Sequence, residues 1–428
     1  MSAKMWLRMS LATWLISGLL VAAPAGPAFG TAYAATPSVT SAINGFSLYQ
    51  APEALWNTQL ATMRIDGVGT VRSDAPWADV EPLPPGPSGH VYDFATTDKW
   101  VTALAVHHLT WQPIVDYSVG WAKTCAGPCA PGNDGPYAAF AQAVAARYGV
   151  GGSFWTQHPE LPAYPARIFE IWNEQGGPPT YISPARYDTL YAAARKAIHT
   201  VDPQAAVILG GLADDGGPFV AAQDYPAWYV LAMLAADPGL SGHIDGFGLH
   251  PYGATAQDVE DWVVNFRYSL DVWGEGSAPI YITEFGWPTF DASHETWRAG
   301  QMTDLAWTLT RSNCGVAMVA PYTWINPGSP PDSDFGLVDN TGHDTVLRPA
   351  GVGWFTGLTK AASLPELGVC GPNTPSITSA TPPIIVSSPP ATSSTGKGTG
   401  LGATGRPGGT PSKHKHRRKH HRHHRRRY

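Results

Sequence analysis

Two glutamates stand directly after short apolar segments, where a carboxylate can take part in acid–base or nucleophilic chemistry. Residues 168–177 read IFEIWNEQGG, so a run typical of a buried strand ends in Asn173, Glu174 and two glycines. Residues 280–288 read IYITEFGWP and place Glu284 after a second such run. Two carboxyl groups that flank one bond can protonate a leaving oxygen from one side and attack or stabilise the reacting carbon from the other.

The elements that must position these glutamates form an alternating pattern of short β-rich segments and longer helical segments. The predicted strands are 43–48, 68–72, 112–116, 168–172, 207–210, 246–250, 280–283 and 317–322. The predicted helices are 52–64, 96–108, 136–148, 184–201, 226–236, 256–273, 293–312 and 350–359. Eight such units over roughly 330 residues predict an α/β fold, a single-domain (β/α)8 TIM barrel. A doubly wound open sheet is the alternative, but no GxGxxG segment opens a helix after the first strand.

The polar residues at the predicted strand ends would share one mouth of this barrel, because the C-terminal ends of its parallel strands lie on one face. In chain order they are Arg72, Asp74, Asp116, Tyr117, Asn173, Glu174, His250, Tyr252, Glu284 and Trp324. The fourth and seventh strands lie on opposite sides of the barrel, so Glu174 and Glu284 are expected to converge across its mouth. A single glutamate at a strand end is more often a solvated rim residue, whereas two at these strands favour catalysis.

At these residues the chain resembles the glycoside hydrolases of clan A, nearest to the family 5 cellulase-like and family 39-like retaining enzymes. Their signature is an Asn-Glu pair on the fourth strand, here Asn173-Glu174, and a glutamate on the seventh, here Glu284. Three further matching segments are VRSDAPWADVEP (71–82), HPY (250–252) and DFGLVDNTGHDTVLRPA (334–350). The resemblance covers essentially the whole region expected to fold. Many relatives have proline where this chain has Gln175, a difference that bears on the family assignment more than on the mechanism.

The resemblance implies that Glu174 is the general acid/base and Glu284 the nucleophile of a double displacement. Asn173 matches the amide that hydrogen-bonds the sugar 2-hydroxyl, and Arg72 matches the arginine that orients the nucleophile. Simple electrostatics agrees, because a carboxylate beside a guanidinium stays ionised. A carboxyl near another carboxylate resists ionisation, so Glu174 is expected to keep its proton. The assignment predicts that Arg72 lies nearer to Glu284 than to Glu174.

The remaining predicted substrate contacts are aromatic or lie on the sixth strand. His250 and Tyr252 match the strand-six pair of the family, with the tyrosine hydroxyl expected near Glu284. Trp324 matches the tryptophan that forms the floor under the −1 sugar. Trp77, Trp121 and Trp287 also follow barrel strands, where the apolar faces of sugars would stack on indole rings. Most of the 17 tryptophans are more simply explained by core packing.

The charge of the chain is divided unevenly along its length. Of the 27 basic residues, eleven lie beyond Cys370, where there is no acidic residue, and two precede residue 35. The central region therefore holds 14 basic against 33 acidic residues, a net charge of −19. Such a field disfavours polyanions and favours a neutral β-linked glycan as substrate. Neither a cofactor, nor a catalytic metal, nor a nucleic-acid partner is expected.

The two ends of the chain are expected to serve export and attachment. Lys4, Arg8, an apolar run over 11–23 and the segment Ala32-Tyr33-Ala34 predict a signal peptide over 1–34, with an uncleaved anchor as the alternative. The barrel is assigned to 38–370, a Pro/Ser/Thr/Gly-rich disordered linker to 371–412, and a basic tail to 413–428. The tail holds nine Lys/Arg and six His. It is either a solvated segment or an attachment to an anionic cell-envelope surface.

An exported protein can oxidise its four cysteines, which allow three pairings. Cys125 with Cys129 and Cys314 with Cys370 is the favoured combination, since no histidine near the CxxxC segment supports a metal site there. A secreted retaining β-glycosidase is thus the leading interpretation. The alternatives are a non-catalytic glycan-binding barrel tethered to the cell envelope, and a transglycosidase that uses the same residues.

Overall fold

The computed structural model describes residues 39–213, 225–289, 291–326, 334–339 and 345–371. The predicted signal peptide, all but the first residue of the predicted linker, and the basic tail lie outside these described residues. In the part of the chain that is described, no helix combines the length and apolar character needed to span a membrane.

Eight parallel strands close into a barrel in sequence order, with β1 paired to β8. They are β1 (Thr40–Asn44), β2 (Thr70–Pro76), β3 (Thr110–Asp116), β4 (Ile168–Ile171), β5 (Ala206–Leu212), β6 (Phe247–Leu249), β7 (Ile280–Ile282) and β8 (Val316–Val319). Each strand is followed by helical structure, which is the (β/α)8 arrangement that the alternation predicts.

Eleven α-helices connect or cover the strands within the described ranges. They are α1 (Phe46–Tyr49), α2 (Glu53–Ile65), α3 (Trp77–Val80), α4 (Ala95–Val106), α5 (Asp134–Tyr148), α6 (Ser153–Gln157), α7 (Pro184–His199), α8 (Tyr225–Ala236), α9 (Ala256–Val272), α10 (Ala292–Leu309) and α11 (Pro349–Ala361). All eight predicted helices are present, within a few residues of the predicted limits. The short helices α1, α3 and α6 are additions, because one or two turns carry little apolar periodicity to detect.

The first strand is shifted towards the N-terminus relative to its predicted limits, 43–48. It ends at Asn44, whose side-chain Oδ1 accepts a hydrogen bond from the backbone N–H of Phe46 at 3.2 Å. The following residues then turn into α1 instead of extending the strand. The prediction was wrong here because Ser47 and Leu48 are buried in a helix, and apolar burial alone does not distinguish the two structures.

The strands divide their side chains between two layers, since successive residues of a strand point to opposite faces. On β3, Trp111 and Val115 belong to the apolar core between the barrel and the helices. Gln112, one residue after Trp111, instead hydrogen-bonds a glutamate of the neighbouring strand β4. The interior of the barrel is therefore polar towards its C-terminal end, where the predicted site lies.

Both favoured disulfides are present. Cys125–Cys129 closes a loop after β3, and Cys314–Cys370 joins the segment before β8 to the segment after α11. The second bond links positions 56 residues apart, which restricts the unfolded chain far more than the first bond does.

Candidate active site

The predicted catalytic glutamates meet at the C-terminal mouth of the barrel. Glu174 follows β4, and Glu284 follows β7. One carboxylate oxygen of each, together with a ring nitrogen of His250, lie within 4.8 Å of one another. The parallel barrel explains the convergence, because it brings the ends of distant strands to one face. By spacing alone, the same three side chains could also hold a metal ion.

Glu284 is surrounded by donors from three other strands. Arg72 Nη1 on β2 donates to its Oε1 at 2.6 Å, and Asn44 Nδ2 at the end of β1 donates to the same oxygen at 3.3 Å. The hydroxyl of Tyr252, after β6, donates to Oε2 at 2.8 Å. These donors stabilise the ionised carboxylate and fix its plane, as a nucleophile requires. The predicted contacts of Arg72 and Tyr252 with Glu284 are therefore present, and Asn44 is an additional one.

Glu174 has a different partner, His250. Its Oε1 lies 3.0 Å from His250 Nδ1, while His250 Nε2 lies 3.8 Å from Glu284 Oε1. The imidazole is fully buried and stands between the two carboxylates. The backbone φ of Glu174 is +48° and that of Trp172 is +69°, so the chain turns sharply directly after β4. Such conformations are uncommon for residues other than glycine and often occur at functional sites.

The protonation of this pair differs from the expectation for Glu174. Burial raises the pKa of Glu174, but the hydrogen bond and charge of His250, helped by Arg72, outweigh burial and bring the pKa below its ordinary value. Burial lowers the pKa of His250, and the charges of Glu284 and Glu174 more than offset this, so its pKa is raised. The expectation that Glu174 keeps the proton was wrong in this geometry, because a histidine lies closer to it than a carboxylate does. Both shifts favour a proton on His250 over one on Glu174.

Asn173 is oriented by the same arginine that contacts Glu284. Its side-chain Oδ1 accepts a hydrogen bond from Arg72 Nη2 at 2.7 Å. Its Nδ2 is therefore directed away from Arg72 and lies 3.4 Å from the hydroxyl of Tyr117. A buried cation can be satisfied only by the oxygen of an amide, so Arg72 determines which way this amide faces. The NH2 group is left as a donor at the mouth.

The four predicted tryptophans do not form a common sugar platform. Trp77 and Trp324 have no exposed surface, so neither can stack on a substrate, and the prediction for these two was wrong. Trp324 donates from Nε1 to Gln59 Oε1 on α2 at 2.6 Å and packs edge-on against Phe355 of α11. Trp77 stacks on Phe140 of α5. Trp77 follows β2 and Trp324 follows β8, and both indole rings lie in the apolar layer between the barrel and the helices.

The other two tryptophans are also held by backbone acceptors. Trp287 is 6% exposed and donates to the carbonyl of Gly253 at 2.7 Å. Trp121 is half-buried and donates to the carbonyl of Glu81 at 3.0 Å. Both lie on loops that follow strands, and a role in substrate contact stays a prediction, best supported for Trp121.

Tyr322 follows β8, at the same end of the barrel as Glu174 and Glu284. Its side chain is half-buried, and burial together with the charges of Glu284 and Glu174 raises its pKa to about 12. Its ring packs edge-on against Phe335, which also contacts Tyr252. The sequence contains one signal for it, since Tyr322 is the last residue of the predicted eighth strand, 317–322.

We expect Tyr322→Ala and Trp324→Ala to affect different properties: the first the use of substrate, the second the stability of the fold. Tyr322→Ala should lower kcat/KM by about tenfold through loss of an aromatic contact, with little change in melting temperature. Trp324→Ala should reduce the free energy of unfolding by about 3–5 kcal/mol, because it empties a buried indole site. Thermal unfolding and substrate titration of both variants check this. A Trp324 variant that folds normally but loses substrate affinity would restore the sugar-platform assignment.

Two further carboxyl groups, Asp74 and Asp116, face the same end of the barrel. Both oxygens of Asp116 are buried without a hydrogen-bond donor, and burial, then the charge of Asp74, raise its pKa well above the ordinary value. Burial also raises the pKa of Asp74 to about 7, although Arg72 opposes this. At neutral pH this side of the mouth therefore carries less negative charge than its number of carboxyl groups suggests.

Three of the solved structures that share this fold are glycoside hydrolases. They are a family 39 glycoside hydrolase from the gut symbiont Bacteroides cellulosilyticus WH2, a monomeric β-xylosidase from Caulobacter crescentus CB15 and a family 39 enzyme from Xanthomonas axonopodis pv. citri. Their TM-scores are 0.56, 0.54 and 0.56, at 19%, 18% and 17% sequence identity. The similarity covers 76% of this chain in each case, and 64%, 70% and 67% of the respective relatives.

No protein-family model matches the sequence, and no curated protein matches it. The structural relatives are therefore distant in sequence, and what they establish is the barrel fold. This agrees with the resemblance to family 39-like enzymes that the strand-end residues suggest.

Proposed function

We propose that this chain is a retaining β-glycosidase that hydrolyses neutral β-linked glycans by double displacement. One observation carries the proposal: Glu174 and Glu284 approach within 4.8 Å across the barrel mouth, each with its own set of partners. Carboxyl groups about 5 Å apart leave no room for a water molecule between catalyst and sugar, which favours a covalent intermediate over direct attack by water. The fold shared with family 39 enzymes supports this chemistry by analogy.

In the first step Glu284 attacks the anomeric carbon while Glu174 protonates the leaving oxygen. Arg72, Asn44 and Tyr252 hold the attacking carboxylate. The required proton starts on His250, whose affinity for it depends on the negative charge of Glu284. As Glu284 forms the ester it loses its negative charge, and the affinity of His250 for its proton falls. This proton then passes from His250 to Glu174 and from Glu174 to the leaving oxygen.

In the second step water attacks the glycosyl ester and Glu174 accepts its proton as a base. Glu284 regains its charge when the ester breaks, which raises the affinity of His250 for the proton again. The proton returns from Glu174 to His250, and the starting state is restored. Each of the two displacements inverts the configuration at the anomeric carbon, so the reaction as a whole retains it.

The proposed substrate is a neutral sugar chain. The net charge of −19 over the region between the two ends disfavours anionic polymers, and Tyr117, Tyr252 and Tyr322 supply aromatic and hydroxyl groups at the mouth. Because one structural relative is described as a β-xylosidase, β-xylosides belong among the first substrates to test.

The proposal is tested by hydrolysis of β-glucan, xylan, mannan and galactan and of the matching nitrophenyl β-glycosides. We expect activity on one sugar series, and proton NMR should show the β-anomer as the first product. An α-anomer formed first would contradict the retaining mechanism. Binding of a glycan without any cleavage would favour the non-catalytic barrel, and sugar-to-sugar transfer in place of hydrolysis would favour the transglycosidase.

We further propose that the protein is exported and that its basic tail, 413–428, binds an anionic surface of the cell envelope. Nine Lys/Arg within sixteen residues would each contribute about 1 kcal/mol near a charged membrane. The full chain should bind anionic vesicles at low salt more strongly than a chain truncated at 371. Equal binding of the two would rule the attachment out.

A further inference from the structure

Glu170 lies deeper in the barrel than the catalytic glutamates, on β4, and is fully buried. Its two carboxylate oxygens each accept two hydrogen bonds. Arg72 Nε and Gln112 Nε2 donate to Oε2 at 2.6 and 3.1 Å. Arg72 Nη2 and the backbone N–H of Gly211 donate to Oε1 at 2.9 Å each. Donors from β2, β3 and β5 therefore fix this carboxylate in one orientation.

The guanidinium of Arg72 is shared between Glu170 and Glu284. It makes two hydrogen bonds to Glu170, one to Glu284 and one to Asn173. Burial lowers the pKa of Arg72, but the charges of Glu170 and then Glu284 raise it more, so the group stays cationic. Arg72 thus pairs with two buried carboxylates and makes more hydrogen bonds to Glu170 than to Glu284.

This arrangement matters for Glu284 because the strength of its ion pair determines both its ionisation and its reactivity. A carboxylate that has a buried cation to itself is strongly stabilised as an anion and is a weaker nucleophile. A carboxylate that shares the cation with another is stabilised less. Glu170 also prevents Arg72 from moving towards Glu284, because the Nε and Nη2 atoms of Arg72 already donate hydrogen bonds to Glu170.

We propose that Glu170 is a positioning residue that sets the reactivity of Glu284 by dividing the charge of Arg72 and fixing its guanidinium. The inference rests on the proposed function in one respect only, the nucleophilic role of Glu284. Stability alone is a poor explanation for this pair, because a buried ion pair often stabilises a fold no better than apolar residues do.

The first test is Glu170→Gln, which keeps the shape of the side chain and one oxygen acceptor. Arg72 then gives its full charge to Glu284, so the titration midpoint of the Glu284 carboxyl should fall by about one pH unit. The acid limb of kcat/KM should move down by the same amount. We expect kcat to fall by about tenfold with little change in KM, since the effect is on the reaction step.

A readout independent of catalysis separates this inference from the proposed function. Carbon-13 NMR of glutamate-labelled protein, assigned with Glu284→Gln, follows the Glu284 carboxyl directly in wild type and in the Glu170 variant. An inactive wild type whose Glu284 midpoint still falls on Glu170→Gln would contradict the proposed function and support the charge division. The ionisable groups that face Glu284 in this titration are Arg72, Asp74, Glu174, His250, Tyr252 and Tyr322.

A second variant tests the sign of the effect. Gln112→Met removes one donor to Glu170 without changing any charge, so Glu170 should draw more strongly on Arg72. The Glu284 midpoint should then rise slightly, opposite to its shift in Glu170→Gln. If Glu170→Gln fails to fold, this variant decides the question by itself.

Glu295→Gln is the matched control. Glu295 pairs with Arg298 at 2.9 Å within α10, both residues are buried, and Glu295 Oε1 accepts a hydrogen bond from the N–H of Ala350. The Glu295→Gln substitution removes the same charge from a buried arginine pair that includes neither Arg72 nor Glu284. We expect a loss of melting temperature comparable to that of Glu170→Gln, with the Glu284 titration unchanged. An unchanged midpoint in Glu170→Gln, or an equal shift in the control, would overturn the proposal.

Discussion

Glu284→Gln is expected to lower kcat/KM by at least about 10⁴-fold, whichever β-glycoside proves to be the substrate. An amide cannot form the glycosyl ester that the proposed mechanism requires. The amide also keeps an acceptor oxygen for only one of two donors, Arg72 Nη1 and the Tyr252 hydroxyl, which bind different oxygens of Glu284. Steady-state kinetics on the best nitrophenyl glycoside measures the loss, and circular dichroism shows whether the barrel is intact.

Azide identifies the role of Glu284 through product stereochemistry. In Glu284→Ala the small anion can enter the space of the carboxylate and attack the anomeric carbon from the same side. The product is then an α-glycosyl azide, with configuration inverted relative to the substrate. Activity near that of wild type in Glu284→Gln would refute the assignment, and so would a β-glycosyl azide from Glu284→Ala.

Glu174→Ala is expected to lower kcat/KM by about 10²–10⁴-fold on substrates with poor leaving groups. Dinitrophenyl glycosides should lose much less in the first step, because their leaving group departs without protonation. The covalent intermediate should then accumulate, since the base that activates water is missing. A burst of dinitrophenol followed by slow turnover is the measurement.

Azide should rescue Glu174→Ala as well, but with the opposite stereochemistry. It attacks the accumulated ester from the side of the missing acid/base and gives a β-glycosyl azide, with net retention. Glu160→Gln is the control, because Glu160 is an exposed glutamate on the loop before β4. Equal losses for good and poor leaving groups would show that Glu174 does not protonate the leaving oxygen.

The two variants also test the role given to His250. In Glu284→Gln the imidazole loses the charge that most strongly raises its pKa, whereas in Glu174→Ala it loses its hydrogen-bond partner. The pKa of His250 should therefore fall in both variants. The raised pKa of His250 stabilises the fold at pH values below the ordinary histidine pKa. This stabilisation is lost as the pH rises through the raised pKa. The stability of both variants should therefore change less with pH in this range than that of the wild type.

The sequence by itself determined the barrel and the polar residues at its mouth. Eight alternating units leave few topologies, and parallel closure brings every C-terminal strand end to one face. Positions such as Glu174, Glu284 and His250 could therefore be assigned to one site from their order along the chain. The disulfide pairs that are present are the favoured combination among the three pairings that four cysteines allow.

Only the tertiary structure decided which side chains point into that mouth. Alternation is reliable within a strand, but the chain turns where the strand ends, as at Trp172 and Glu174 with their positive φ values. After β8, likewise, Tyr322 is half-buried and its pKa is raised by the charges of both glutamates, while Trp324, two residues later, is buried against α2 and α11. Contacts between side chains of distant strands also could not be predicted from the sequence. Asn44 reaches Glu284 across 240 residues of sequence, because closing the barrel brings together side chains whose separation along the chain carries no signal.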